Sequence, residues 1–161
     1  MARKQMTVDE LVQSEGWKKF TKNLEIYGSI AGAVGFILHF IKSPYATMLL
    51  TLSLTTLAIV YFFMAFLKAD FPSRALSYVF YKLYGFGLSI SLVTIMFILN
   101  HWPAAHLEML IISFALTLAN FILVFMARPG FERQSLSLLN TRLVITLVLL
   151  VYCIFAAKIY I

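Results

Sequence analysis

The chain has 161 residues, 61% of them hydrophobic and 12% charged, whereas a soluble domain is about a quarter charged and about half apolar. So much apolar surface needs lipid or partner chains to cover it, which argues against an ordinary soluble domain. The net charge of +6 is concentrated in a few segments and points to anionic headgroups of an inner leaflet. No basic run interleaved with exposed aromatics lies outside the apolar segments, so no nucleic-acid module is expected.

Residues 1–25 read as a cytoplasmic amphipathic helix. Thr7 and Glu10 fit a capping box, Val8, Leu11 and Val12 give a partial apolar face, and Trp17, Lys18, Lys19, Phe20 and Lys22 mix aromatic and basic groups as at a membrane surface. The acidic residues Asp9, Glu10, Glu15 and Glu25 in this stretch do not fit a signal peptide, so the first apolar helix is expected to stay as an anchor.

Five apolar spans follow: about Ile26–Ile41, Tyr45–Leu67, Leu83–His101, Ala104–Ala127 and Leu143–Ile161. A bilayer needs roughly 20 apolar residues per helix; the first span is short and borrows a turn from the preceding helix. Lys42-Ser43-Pro44 and Trp102-Pro103 mark two tight turns, and Arg128-Pro129-Gly130 ends the fourth span. Basic loops are expected over Lys68–Lys82 and Arg128–Arg142, with Phe71–Lys82 open to forming a short interfacial helix anchored by Tyr78, Phe80 and Tyr81.

Eleven of the thirteen Lys and Arg residues fall in Met1–Glu25, Lys68–Lys82 and Arg128–Arg142, the others being Lys42 and Lys158. The positive-inside rule then puts the N-terminus and both basic loops in the cytoplasm and the Pro turns and C-terminus outside. The expected fold is an all-α integral membrane helical bundle in the inner (plasma) membrane, with five transmembrane helices, N-in/C-out. Hairpins over 26–67 and 83–127 form two parallel repeats, and a fifth helix covers 143–161.

The repeat is visible in the residues. Phe36-Ile37-Leu38-His39 resembles Phe97-Ile98-Leu99-Asn100-His101, and each is followed by a Pro, an Ala and a Met-Leu pair. The second turn, Phe97 to Ala105, resembles the outer turn of the GldL family, inner-membrane proteins of gliding motility and type IX secretion in Bacteroidota. The first hairpin keeps Phe36, Pro44, Ala46 and Met48-Leu49 of that pattern. The resemblance implies a proton-driven hairpin with a carboxylate in its second helix. Here the matching positions hold Thr56 and Thr117, so it implies the hairpin without the motor chemistry.

The outer edge gathers His39, Lys42, Asn100, His101, His106 and Glu108. The expected role is hydrated groups at headgroup depth, where charges cost little. The competing roles are a proton or ion cluster of His39, His101, His106 and Glu108, and a metal or haem site, for which the spacing is poor. Gly28, Gly32 and Gly35 offer a small-residue face for helix packing, expected between the two hairpins, and Asn120 is expected to bond between helices. Cys153 lies in an apolar run as a small hydrophobe.

No catalytic motif or phosphate loop is present, and no cofactor is expected. The expectation is a non-enzymatic membrane subunit or scaffold, with other membrane subunits or self-association as partners. The alternative is a component of a proton, ion or small-solute transporter or channel.

Overall fold

The computed structural model describes residues 14–67, 74–101, 106–130 and 133–157. Among them are five α-helices and a 3-10 turn, with no strand: α1 Glu15–Phe40, α2 Ala46–Met64, α3 Arg74–Leu99, α4 His106–Ala127, the turn Arg128–Gly130, and α5 Arg133–Ala157. Four stretches are long and apolar enough to cross a membrane: Ala46–Met64, Val79–Leu99, Leu107–Ala127 and Arg133–Phe155.

α1 is not among these four, so the expected five spans are four by length and composition. With 26 residues α1 has the length, at about 1.5 Å per residue. Its first half, however, carries Lys18, Lys19, Lys22 and Glu25.

The helix ends differ from the expected loops. α3 begins at Arg74 and α5 at Arg133, so Lys82 and Arg142 stand on helices rather than in the basic loops expected over 68–82 and 128–142. No Gly or Pro interrupts either stretch before the apolar run begins, so nothing stops the helix from starting early. α1 starts at Glu15, where the Ser14 side chain accepts the Trp17 N–H at 3.3 Å. The expected Thr7 cap lies outside the described residues.

α1 and α3 both end on a residue of left-handed φ. At the end of α1, Lys42 adopts a left-handed φ of 55°, its N–H donates to His39 O at 3.1 Å, and the Ser43 N–H donates to Leu38 O at 2.9 Å. This pair of bonds is the Schellman motif. At the end of α3, His101 takes φ 54° and donates to Ile98 O at 3.1 Å. Pro44 and Pro103 each follow two residues later in the sequence, where the preceding helix cannot continue.

Short turns make sequence neighbours antiparallel. In the α1–α2 pair, a Cβ on Gly28 would lie 3.1 Å from Leu57, one on Gly32 3.5 Å from Ser53, and one on Gly35 3.1 Å from Leu50. The glycine face is therefore buried within the first hairpin rather than between hairpins, because the turn over 41–45 leaves α1 no closer neighbour than α2. In the α3–α4 pair, Gly87 faces Asn120 and Thr94 faces Ser113. The approach between the hairpins is at Gly85, where an added Cβ would sit 2.6 Å from both the Ala65 nitrogen and the Tyr61 carbonyl oxygen.

α3 is the central helix. It packs on α2, α4 and α5, and Phe80, Tyr84, Leu88 and Ile95 are fully buried. The spans of α4 and α5 are only 28% buried, against 61% for α3. The exposed surface carries Leu107, Ile111, Ile122 and Phe125 of α4 and Val144, Val148 and Phe155 of α5. Apolar exposure of this extent suits lipid rather than water.

Candidate functional site

The sequence-predicted groups His39, Lys42, Asn100, His101, His106 and Glu108 lie at the end of the bundle where α1 and α3 stop and α4 starts. His39 is half-buried with its ring edge-on to Phe40, centroids 6.4 Å apart. Lys42 and His101 occupy the left-handed positions that end α1 and α3. Glu108 is exposed in the first turn of α4, where a carboxylate suits the helix dipole. His106 starts α4, and its side chain lies outside the described residues. Asn100 donates to Thr51 Oγ1 at 2.7 Å, and its own Oδ1 is buried without a partner. Among the described residues, no three His, Cys, Asp or Glu side chains come together as a metal site would need.

Mid-bundle, a seam of buried hydroxyls runs between α3 and α4. The Ser113 hydroxyl donates to Thr94 Oγ1 at 2.7 Å, and Thr94 in turn donates to Ile90 O at 3.0 Å. Ser91 donates to Gly87 O at 2.8 Å and lies 3.2 Å from the Thr117 hydroxyl. Asn120, 2% exposed, reaches Tyr84 O at 3.4 Å. These are local carbonyl bonds and helix-to-helix bonds, the usual uses of hydroxyls and amides in apolar helices. Thr56, at the first of the two positions matched to a carboxylate, donates to Leu52 O at 2.8 Å.

The charged constellation lies at the other end of the bundle. Arg142 of α5 grips Glu25 of α1 with two bonds of 2.5 Å, Nε to Oε1 and Nη2 to Oε2. Tyr61 of α2 donates its hydroxyl to the same Oε1 at 2.9 Å, and its ring lies under the guanidinium at 5.6 Å. Beside it, the buried Tyr84 of α3 donates to Leu139 O of α5 at 2.8 Å. Four helices meet here. The pair is largely shielded, with the Arg142 and Glu25 side chains 11% and 17% exposed, and the bidentate geometry is the strongest an Arg and a carboxylate can form.

In the sequence, Glu25 and Arg142 stand at the ends of segments expected to be cytoplasmic, with no role marked for either. The signal was there: each is the last charge before an apolar run, the signs are opposite, and the assigned orientation puts both at the same level. Next to the pair is a half-open cavity, a groove of about 680 Å³ between the first half of α1, the end of α2 and the start of α5. Higher up, Tyr152 of α5 meets Phe36 and Phe40 of α1 edge-on at 6.4 and 5.7 Å. α1 and α5 therefore run parallel and touch at two levels.

No protein-family model, curated protein or solved structure matches this chain significantly.

Proposed function

We propose that this chain is a five-span, N-in/C-out, non-enzymatic subunit or scaffold of an inner-membrane assembly. The observation that carries this reading is the state of the charges set among the helices. Glu25 and Arg142 are bound to each other and to Tyr61, tying three helices together. Each of these groups finds its partner inside the bundle, which supports a structural tie between helices.

Two features support five spans and a repeat. α1 lies along the length of α2 from Gly28 opposite Leu57 to Gly35 opposite Leu50, so α1 crosses wherever α2 crosses. The hairpins also share a register: adding the 61-residue offset of Phe36 and Phe97 to each helix turns the Gly32–Ser53 facing into a Val93–Phe114 facing, one position from the observed Thr94–Ser113 bond. This supports two parallel hairpins; their likeness to a GldL-type hairpin rests on the turn residues alone, with Thr56 and Thr117 where such a hairpin would carry its proton.

The test is native mass spectrometry of the gently solubilised complex, with wild type and Glu108→Gln side by side. A stoichiometric partner retained by both supports the scaffold reading. A chain with no partner, whose proton or ion flux falls on Glu108→Gln, would replace it with the transport reading.

A further inference from the structure

We propose that the cavity between α1, α2 and α5 binds one anionic phospholipid of the inner leaflet; this rests on the membrane reading above. Its volume of about 680 Å³ falls within the range of about 300–1,000 Å³ typical of small-molecule sites.

The chemistry of its wall changes along α1. Lys18 and Lys22, one turn apart, line its lower part, and Ile26 and Ile30 continue the same row above them. Both isoleucines are exposed to the cavity side of the bundle, at 47% and 59%. Phe63 of α2 and Leu138 of α5 complete the apolar part. The carboxylate of Glu25 also lines the cavity, but Arg142 neutralises it. The two lysines are therefore left to set the sign of the site.

Cationic below and apolar above is the profile of a phospholipid at a cytoplasmic interface, phosphate toward the lysines and acyl chain along the isoleucines. A free phosphate would satisfy Lys18 and Lys22 but leave Ile26 and Ile30 uncovered. The position agrees with the orientation from the charge pattern, since Lys18 and Lys22 belong to the segment assigned to the cytoplasm.

The experiment uses the full chain, delipidated in mild detergent, with equimolar phosphatidylglycerol and phosphatidylcholine and readout by native mass spectrometry. The expected result is a single retained phosphatidylglycerol, favoured by about tenfold. Lys18→Gln and Lys22→Gln should each lose most of that preference with unchanged thermal unfolding. Lys19→Gln, an exposed neighbour that does not line the cavity, should keep it.

Equal binding of the two lipids, or a Lys18→Gln/Lys22→Gln double variant as selective as wild type, overturns the proposal. Displacement of the lipid by millimolar inorganic phosphate overturns it in favour of a soluble anion. Carbonate extraction of membranes separates the two levels. A chain released by carbonate removes both the membrane reading and the lipid site, whereas a retained chain without selectivity removes the site alone.

Discussion

Arg142 and Glu25 are 117 positions apart in sequence and are joined by two hydrogen bonds of 2.5 Å, which fasten the last described helix to the first. Without this clamp the up-and-down order of the helices would leave α1 held mainly by α2. Tyr61, three residues before the end of α2, lends its hydroxyl and its ring to the same clamp.

Breaking one side of the clamp should be costly. Arg142→Met leaves a shielded carboxylate with only the Tyr61 hydroxyl, and is expected to destabilise by about 3 kcal/mol. Adding Glu25→Met should recover most of that loss, because a paired charge replaced by apolar groups is often neutral. Thermal unfolding in detergent, followed by circular dichroism, measures both. Additive losses would show that the two residues act independently.

Gly85 and Gly16 should respond oppositely to the same change. A Cβ on Gly85 would fall 2.6 Å from main-chain atoms of α2, which cannot move aside as a side chain can. Gly85→Ala should cost about 1–3 kcal/mol by forcing α2 and α3 apart. Nothing lies within 4 Å of a Cβ on Gly16, so Gly16→Ala should be stabilising by up to about 1 kcal/mol through helix propensity. Melting temperatures of the two variants decide this.

The hydroxyl seam should show modest coupling. Thr94→Val and Ser113→Ala each remove one end of the 2.7 Å bond. A double-mutant cycle is expected to give about 0.6 kcal/mol, with roughly 1.7 as a ceiling, the values of hydrogen bonds between membrane helices. No coupling would mean that each hydroxyl is satisfied by its own helix alone.

The course of α1 can be read by thiol labelling. Cys153 is fully buried, so Cys153→Ala provides a background without a reactive thiol. Lys42→Cys should react with an impermeant maleimide in intact cells, and Lys18→Cys and Arg133→Cys only after permeabilisation. Labelling of Lys18→Cys and Lys42→Cys from the same face would show that α1 lies along the membrane instead of crossing it.

Sequence alone determined the helical class, four of the five expected apolar spans and the ends of the two helices that precede Pro44 and Pro103. Run length and breakers are local properties, so Lys42-Ser43-Pro44 and His101-Trp102-Pro103 are legible as helix stops without any tertiary information. The helix starts were less legible: charge marks which side a segment faces, not where hydrogen bonding begins, and α3 and α5 start within basic stretches. Tertiary structure decided the partners. The glycine face could have met any helix, and the short turn over 41–45 gave it α2. The meeting of Glu25 with Arg142 depends on α1 and α5 running parallel at one level, and no local pattern encodes a contact between residues so far apart in the chain.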